Sequence, residues 1–433
     1  MNKYALLAGL VICLKVIGST YLHSQDPAML DLVGFAGVNG VTTGGAGGDS
    51  ITVTTGTELQ NALKNKQDSE IPLVILVKGA INLANSPELS KIDVKDVSDV
   101  TIIGDNPYAE FDGIGIKIRR ASNIIIRNLK IHHVLSGEKD CMGIEGPANH
   151  IWIDHCELYN EFQGVDKDYY DGLLDAKADA EYLTYSWNFL HDSWKTALVG
   201  SSESDIYNRK LTMHHNYFLN CNSRLPLFRA STGHFFNNYY KDIASTAINT
   251  RINSCVRIES NYFENTKNPW VSAYSDVLGG GEAIDNILVN SPFVYSDNTH
   301  EILSCSPEIP YEYASVLHDA SDVPGVVMAF AGVGKLDNGV TSPLSSDEMP
   351  IHFYPNPVQA TAYIEFTAKN TGITVISIKD MTGRKIHVFE EYVTENSKQH
   401  ISFDAGSYSP GLYLLEIRSG SMATLRQFII LDH

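Results

Sequence analysis

Short runs of alternating hydrophobic and polar residues recur along most of the chain, and turn-forming residues separate them. Such alternation predicts β-strands with one buried face. Six runs are similar enough to be copies of one strand-and-turn unit. They are NIIIRNLKI (123–131), HIWIDHCEL (150–158), YLTYSWNFL (182–190), KLTMHHNYF (210–218), GHFFNNYYK (233–241) and VRIESNYFE (256–264). The chain is therefore predicted to be all-β and built from repeats.

Alignment of these units places an asparagine at one equivalent position in four of them. Asn188, Asn216, Asn238 and Asn261 are separated by 28, 22 and 23 residues, and an aromatic residue follows each. Repeats of this length are typical of solenoids. In a right-handed parallel β-helix, equivalent asparagines of stacked coils can form a hydrogen-bonded ladder. The alternative is chance repetition in an asparagine-rich β-sandwich, which four aligned matches disfavour.

One early segment has helical rather than strand periodicity. TELQNALKN (57–65) has this pattern, and Thr57 is a candidate N-cap. We expect this helix to close the N-terminal end of the solenoid, which would otherwise expose its hydrophobic interior.

The composition changes after Lys335. Residues 337–350 are rich in Ser, Pro, Asp and Gly, which is typical of a linker. Residues 351–433 then alternate short strands, such as TAYIEF (361–366) and GLYLLEI (411–417), with turns. So short a run of strands predicts a small C-terminal β-sandwich domain.

The overall charge is acidic, and it limits the classes of partner. The chain has 32 Lys and Arg against 51 Asp and Glu, a formal net charge of −19, which argues against nonspecific nucleic-acid binding. A site for a polyanion must therefore concentrate positive charge locally, through bound metal or clustered Arg and Lys.

Residues 1–25 have the pattern of a secretory signal peptide, with Lys3 before a short apolar core. No later segment is apolar over about eighteen residues, so no membrane-spanning helix is predicted.

Five cysteines follow residue 25, at positions 141, 156, 221, 255 and 305. An odd number in a chain of this size does not indicate a disulfide framework. Cys156 and Cys221 lie in strand-like runs, where a cysteine behaves as a small buried hydrophobic residue. A disulfide between one pair remains open.

Candidate chemistry is concentrated in NSRLPLFR (222–229), where Arg224 and Arg229 flank Pro226. A proline cannot donate to a sheet ladder, so it marks a bend or a strand end. Two guanidinium groups directed to one face would suit a ligand with several carboxylates. The alternative is that each arginine pairs with a surface acid.

Four motifs precede this one: KDCMGIEG (139–146), IWIDHCELYN (151–160), DGLLDAK (171–177) and HDSWKTALVG (191–200). With NSRLPLFR, in this order and spacing, they resemble the pectate lyases of polysaccharide lyase family 1. The resemblance extends from about Gly34 to about Lys335 and predicts a domain over residues 26–336. It implies a right-handed parallel β-helix and cleavage of α-1,4-linked polygalacturonate by calcium-dependent β-elimination.

The resemblance also implies roles for three basic residues. Arg224 matches the catalytic base, Arg229 the second, substrate-binding arginine, and Lys195 the lysine that contacts the substrate carboxylate. Neutralising that carboxylate with a cation makes the adjacent C5 proton easier to remove. Arginine side chains are normally protonated, with a pKa above about 12. Because nearby positive charge favours the neutral form of a base, we expect activity to increase at alkaline pH.

Three aspartates match calcium ligands of the family, and calcium prefers oxygen ligands in adaptable geometry. Asp171 and Asp175 match directly. Asp140 matches the third ligand if one residue is inserted before Trp152, whereas an ungapped register places Cys141 there, a poor calcium ligand. The alternative for all three aspartates is that they are solvated turn acids.

Three histidines are interpreted as packing residues rather than bases. They are His191, His214 and His215.

The C-terminal region has a second resemblance. FYPNPV (353–358), DMTGRK (380–385), PGLYLLEI (410–417) and FIIL (428–431) resemble the sorting domain of the bacterial type IX secretion system. This implies the secretion machinery as a partner, export through the periplasm to the cell surface or medium, and no role in catalysis. The alternative is an ordinary carbohydrate-binding sandwich.

Two other functions are weighed against a pectate lyase. A pectin lyase acts on methyl-esterified chains without calcium, but it would lack the acidic residues that this sequence retains. A noncatalytic surface pectin-binding protein would not need the three basic residues. We expect the protein to act as a monomer.

Overall fold

The computed structural model describes residues 32–105, 108–336, 351–354, 358, 360–380, 385–406, 408, 411–419 and 422–430. The predicted signal peptide (1–25) and linker (337–350) lie outside the described residues, as do 355–357 of FYPNPV and 381–384 of DMTGRK. Among the described residues, no helix is long and apolar enough to cross a membrane.

The first part of the chain consists of short strands, two helices and a 3-10 turn at Phe35–Gly37. The helices are α1 (Gly56–Gln67) and α2 (Val323–Phe330). The strands are β1 (Asp49–Val53), β2 (Leu73–Val77), β3 (Ala80–Asn82), β4 (Ile92–Lys95), β5 (Ser98–Gly104), β6 (Ala109–Asp112), β7 (Ile116–Arg127), β8 (Leu129–His132), β9 (Met142–Asp154), β10 (Glu157–Tyr159), β11 (Leu174–Lys177), β12 (Ala180–Ser186), β13 (Phe189–Lys195), β14 (Leu198–Val199), β15 (Lys210–His214), β16 (Tyr217–Ser223), β17 (Leu227–Arg229), β18 (Thr232–Phe236), β19 (Tyr239–Ile243), β20 (Ile248–Arg251), β21 (Cys255–Glu259), β22 (Tyr262–Thr266), β23 (Trp270–Ala273), β24 (Gly280–Ile284), β25 (Ile287–Val289), β26 (Thr299–His300) and β27 (Leu303–Ser304).

These strands form three long sheets whose neighbours are parallel and come from successive coils. The first sheet has the order β3-β6-β8-β10-β13-β16-β19-β22-β25. The second runs β1-β2-β5-β7-β9-β12-β15-β18-β21-β24-β27, and the third runs β4-β7-β9-β11-β14-β17-β20-β23. The long strands β7 and β9 belong to both the second and the third sheet, and β26 pairs antiparallel with β23. The predicted right-handed parallel β-helix is therefore confirmed.

The interior of the coils is filled by stacked hydrophobic side chains. Along the second sheet, register pairs one fully buried residue of each coil with its equivalent in the next. This row is Ile75, Ile102, Ile126, Ile153, Tyr185, Met213, Phe235 and Ile258. Each side chain is covered on both sides by the same kind of neighbour, so its burial stabilises every coil in the same way.

The predicted asparagine ladder is confirmed and is longer than expected. The Nδ2 atoms of Asn188, Asn216 and Asn238 each donate to Oδ1 of the next asparagine, at 2.9–3.0 Å. Asn261 continues the ladder to Asn286 at 3.0 Å. Each Oδ1 also accepts from the backbone N–H of the preceding asparagine. These amides therefore satisfy buried turn backbone that has no sheet partner.

The aromatic residues after the asparagines stack on the outside of the first sheet. The ring centroids of Phe189, Tyr217 and Tyr239 are 4.9 and 5.0 Å apart, and the ring planes are nearly parallel. Helix α2 covers this stack, with Val323 and Val327 packed against Tyr239. The helix therefore shields an apolar stripe that would otherwise face water.

Helix α1 packs where predicted, but its N-cap is Thr55 and not Thr57. Thr55 has extended backbone, and its side chain accepts from the N–H of Glu58 at 3.1 Å. Thr57 instead is the second residue of the helix, so it cannot be the residue that flanks the first turn. Leu59 and Leu63 are buried in the same hydrophobic core as the first coils, so α1 closes this end of the solenoid.

One disulfide joins two of the five cysteines. Cys255 and Cys305 are bonded across 50 residues, which links β21 to the segment after β27. Cys156 and Cys221 are buried, as predicted, and both are free thiols; Cys141 is a buried free thiol too.

The C-terminal region forms two antiparallel sheets. The strands are β28 (Ile351–Tyr354), β29 (Thr361–Thr367), β30 (Gly372–Asp380), β31 (Lys385–Val393), β32 (Lys398–Asp404), β33 (Gly411–Ser419) and β34 (Met422–Ile430). Their orders are β28-β29-β32 and β31-β30-β33-β34. Ile364, Phe366, Ile376 and Ile417 are buried together in a separate core, which confirms the predicted small sandwich.

The ladder predicts that a central asparagine contributes strongly to stability. Asn238→Ala removes the acceptor of the buried Asn216 N–H and the donor to the Met213 carbonyl. We expect a loss of about 3 kcal/mol in the free energy of unfolding, because each buried group left without a partner costs about 1–3 kcal/mol. Chemical denaturation of the purified protein measures this loss.

The matched control is Asn61→Ala, at an exposed position of α1. Alanine is the better helix former, so this variant should be as stable as the wild type or slightly more stable. Equal stabilities for the two variants would contradict the role of the ladder.

Candidate active site

The three basic residues predicted to act on substrate lie at strand ends on adjacent coils. Lys195 ends β13, Arg224 follows β16, and Arg229 ends β17. Lys195 is in register with Ser223, the residue before Arg224. The coil stacking therefore brings together residues that are 29 and 34 positions apart in the sequence.

Arg224 lies at a tight turn held on both sides by neighbouring coils. Its φ is 66°, in the left-handed region. Its carbonyl accepts from the Ala197 N–H at 2.6 Å, and the next N–H, of Leu225, donates to Ala247 at 2.9 Å. The side chain is half-buried, and no hydrogen bond or ion pair of its guanidinium occurs within the described part of the chain. A firmly positioned backbone thus presents a guanidinium that is available to a ligand.

Arg229 is held more tightly. It is 9% exposed, Nη1 donates to the Gly200 carbonyl at 2.7 Å, and Nε lies 3.3 Å from Glu203 Oε1. A Cβ atom on Gly200 would lie 2.9 Å from the Arg229 Cβ atom, and the φ of Gly200 is 88°. Only glycine fits this close approach without strain. The edge of the guanidinium that carries Nε and Nη1 is therefore fixed by contacts with the protein.

Lys195 is paired with acids of the loop that precedes β11. Its Nζ lies 2.8 Å from Asp168 Oδ1 and 3.3 Å from Asp171 Oδ1. Asp168 is 58% exposed at its side chain, so its pairing with Lys195 can be exchanged for a ligand carboxylate at low cost.

Asp140 and Asp175 form a buried pair around one lysine. Lys177 Nζ lies 3.2 Å from Asp140 Oδ2 and 3.3 Å from Asp175 Oδ2. The other oxygens accept from backbone, Asp140 Oδ1 from the Gly172 N–H and Asp175 Oδ1 from the Leu198 N–H. Two carboxylates thus already converge on a positive charge.

Asp171 lies beside this pair but is exposed. Its side chain is 40% exposed, whereas that of Asp175 is 2% exposed. Of the two aspartates that match calcium ligands directly, only Asp171 is therefore open to solvent. The reason is the strand: Asp175 is the second residue of β11 and is covered by the next coil, while Asp171 precedes the strand. Cys141, the alternative to Asp140, is buried in the hydrophobic core.

Burial and mutual repulsion work against ionisation of the buried acids. Burial and then the charge of Asp140 raise the pKa of Asp175 to about 7, although Lys177 opposes the shift. Burial likewise raises the pKa of Asp140. A hard divalent cation would relieve this repulsion, since all the available side-chain donors are carboxylate oxygens.

Two basic residues of this region were not predicted from the sequence. Lys177 lies two positions after Asp175 on the same strand, so the alternation of β11 directs both to one face. Arg251 is the register partner of Arg229. Burial and the charge of Arg229 lower the pKa of Arg251 to about 10. The coil repeat, 22 residues from Arg229 to Arg251, was the signal that could have found it.

The three histidines predicted to be packing residues occupy packing positions. His214 and His215 are 2% and 0% exposed, and burial lowers the pKa of each. His191 stacks between Tyr159 and Phe189, with ring centroids 4.5 and 4.2 Å away.

Comparison with known proteins gives two family matches. A family model described as "Pectate lyase" matches residues 4–336, and one described as "Secretion system C-terminal sorting domain" matches residues 352–431. A pectate trisaccharide-lyase of Bacillus licheniformis is 53% identical over 310 residues, which cover 72% of this chain and 88% of that protein. Pectate lyase plyB of Emericella nidulans is 34% identical over 300 residues, covering 68% of this chain and 87% of that protein.

Solved structures agree with this assignment. A pectate lyase from Bacillus sp. N165 in complex with trigalacturonate matches with a TM-score of 0.65 and 40% identity. It covers 71% of this chain and 100% of its own. Pectate lyase C from Erwinia chrysanthemi, solved with 30 mM Ca²⁺, matches with a TM-score of 0.61 and 25% identity, over 73% of this chain and 99% of its own. The chain therefore belongs to the pectate lyase family of polysaccharide lyases and carries a type IX secretion sorting domain.

Proposed function

We propose that this protein is an exported pectate lyase that cleaves polygalacturonate by calcium-dependent β-elimination. The observation that carries the proposal is the placement of Arg224 at a tight turn on the coil next to that of Lys195. Its guanidinium has no hydrogen bond or ion pair with any residue that the structure describes. The three cations stand next to a cluster of carboxylates in a protein of strongly negative net charge. Such local separation of charge suits a ligand that has carboxylates and also needs a cation.

In this proposal Arg224 is the base. Elimination breaks the C5–H and C4–O4 bonds of a galacturonate unit and forms a C4–C5 double bond, while the leaving oxygen takes up a proton from solvent. Lys195 and Arg229 hold the substrate carboxylate, and Lys195 exchanges its contact with Asp168 for that group. In the same region burial, with the charge of a neighbouring arginine added, lowers the pKa values of Arg229 and Arg251.

Asp140, Asp171 and Asp175 are the residues that would hold calcium. The set fits a hard cation, because its donors are oxygens and because Lys177 already brings a positive charge between two of them. When bound, the ion would neutralise the substrate carboxylate and so make the neighbouring C–H more acidic. Lys177 acts as the internal counter-ion that keeps the buried acids compatible with folding in its absence.

The chain is proposed to release short unsaturated oligogalacturonates, with trimers prominent. The support is the name of the Bacillus licheniformis relative, a pectate trisaccharide-lyase at 53% identity. Export is proposed to remove residues 1–25 and to pass through the periplasm, with residues 337–350 as a linker and 351–433 as the sorting domain. In this division the catalytic domain is residues 26–336. The pectin lyase alternative is disfavoured by the retained cluster of acids.

The activity is tested by the ultraviolet absorbance of the C4–C5 double bond formed on polygalacturonate. We expect strong absorbance with calcium, almost none with an excess of chelator, and recovery when calcium is restored. Highly methyl-esterified pectin should be a poor substrate. Equal rates on it with chelator present would instead identify a pectin lyase, and no product from either polymer would favour a binding protein.

The role of Arg224 is tested by Arg224→Lys, which keeps the charge and loses the guanidinium. We expect kcat to decrease by roughly two to four orders of magnitude, the usual contribution of a general base, with KM nearly unchanged. Arg229→Lys should mainly raise KM, because its role is to bind the substrate carboxylate in both ground and transition states.

The matched control is Arg257→Lys, at an arginine paired with Glu282 on the second sheet. It should retain full turnover. If Arg224→Lys only raises KM while His191→Ala abolishes turnover, the base has been assigned to the wrong residue.

The counter-ion role of Lys177 predicts a change in stability that does not depend on activity. In chelator, Lys177→Met leaves Asp140 and Asp175 buried without a cation, so we expect a loss of about 3–5 kcal/mol. Calcium should then raise the Tm of this variant more than that of the wild type. Lys78→Met is the control. Lys78 forms a partly exposed pair with Asp105, so this variant should change stability by less than about 1 kcal/mol. A calcium-free Lys177→Met protein as stable as the wild type would contradict this role.

A further inference from the structure

Three side chains outside the proposed chemistry converge where two strands of the first sheet end. Asp112 is the last residue of β6, His132 is the last residue of β8, and His133 follows it. One potential ligand atom from each of the three lies within 4.8 Å of the other two. We call these three residues the two-histidine cluster.

The fold explains why neighbouring residues reach the same point. Asp112 and His132 are register partners on parallel strands, so their side chains share one face of the sheet. His133 would point to the opposite face if the strand continued. Its φ is 52°, in the left-handed region, and this turn returns its ring to His132, with the two Nδ1 atoms 2.8 Å apart.

The distances are close to those of a metal site. His132 Nδ1 lies 2.8 Å from His133 Nδ1 and 3.6 Å from Asp112 Oδ1. Ligand atoms bound tetrahedrally at about 2.0–2.1 Å are separated by about 3.3 Å. The observed values lie on either side of this separation, so small side-chain rotations would complete the geometry.

The proton positions leave a lone pair facing the centre of the cluster. Glu110 Oε1 lies 3.0 Å from His132 Nε2. A carboxylate can only accept, so Nε2 carries the proton and Nδ1 has the lone pair. This is the carboxylate–histidine arrangement that orients metal ligands in proteins. The Nδ1 lone pair accepts from His133 Nδ1–H, and a cation would take the place of that proton while His133 binds as its other tautomer.

The cluster is rigid on one side and open on the other. His132 is 7% exposed and stacks on Tyr159, with ring centroids 4.8 Å apart. Asp112 is 58% exposed at its side chain, so an ion can enter from solvent. His214 and His215 provide a contrast in the same protein. Their Nδ1 atoms are 2.9 Å apart, but both rings are buried and neither forms an ion pair with a carboxylate within the described residues.

We propose that Asp112, His132 and His133 form a binding site for a divalent transition-metal ion of intermediate hardness. Zn²⁺ is the ion used to test it. Two imidazoles and one carboxylate favour such an ion over calcium, which prefers oxygen ligands. The site is separate from Asp140, Asp171 and Asp175 and does not depend on the proposed reaction. Because the His133 ring lies 6.2 Å from that of Tyr170, the ion would brace the residue that precedes Asp171.

The test is equilibrium dialysis of the full chain against micromolar Zn²⁺ with calcium in excess, so that the oxygen-rich site is saturated. Bound zinc is counted by elemental analysis. The variants are Asp112→Asn, which keeps the shape of the side chain, and His133→Asn, because asparagine tolerates left-handed backbone. The control is His300→Asn, which removes an exposed histidine at the end of β26.

We expect one zinc per chain in the wild type and in His300→Asn, and at least about tenfold weaker binding in both cluster variants. Thermal unfolding of each variant checks that its fold is retained, and zinc should raise the Tm of the wild type but not of His133→Asn. Absence of zinc binding by the wild type would overturn the proposal. Unchanged binding in either cluster variant, or an equal loss in His300→Asn, would also overturn it.

Discussion

Parallel pairing between successive coils is the constraint on which the rest of the structure depends. In a parallel ladder each residue lies next to its equivalent one coil away, at the spacing of neighbouring strands. Any residue type that repeats with the coil therefore becomes a row. The row of hydrophobic side chains through Ile102, Ile126 and Ile153 and the row of asparagines through Asn216 and Asn238 both arise in this way. The hydrophobic row buries apolar surface inside the coils. The asparagine row provides hydrogen-bond partners for buried turn backbone that has none in the sheets.

The same pairing assembles the candidate active site from segments that are distant in the sequence. Lys195 and Arg224 are brought together because the residues of β13 pair with those 28 positions later in β16. Arg229 and Arg251 are brought together because the residues of β17 pair with those 22 positions later in β20. Cations from separate coils are thereby placed close together, although repulsion between them is unfavourable. Burial is the main cause of the lowered pKa values of Arg229 and Arg251, and the charge of a neighbouring arginine adds to it. The stability of the stacked coils offsets this repulsion, as is usual where a rigid scaffold supports a functional site.

The sequence predicts the features that repeat from coil to coil, but it does not predict the features that depend on a single local interaction. The asparagine positions and their 28, 22 and 23-residue spacings predicted the ladder, because the repeat itself is the physical cause. The N-cap did not follow from periodicity, because Thr55 and Thr57 are both plausible and only the extended backbone at Thr55 selects between them. The disulfide between Cys255 and Cys305 depends on where the last coils end, which an odd count of cysteines does not reveal. Burial of Asp175 does not follow from the sequence because a carboxylate is normally exposed, and no pattern in the sequence assigns a role to its partner Lys177.

Asp175 and Asp171 show how position on a coil separates two tasks that the sequence makes look alike. Asp175 is inside a strand, where the next coil covers it and donates a backbone N–H to it. Its carboxylate is therefore fixed in place, but at the cost of desolvation that Lys177 must offset. Asp171 precedes the strand, remains exposed, and pairs with Lys195. The buried acid can define where a cation sits, whereas the exposed acid can move between that cation and Lys195. A cation held by one fixed and one movable carboxylate can be bound tightly by the protein and still be accessible to a polymer. This arrangement follows from where β11 begins.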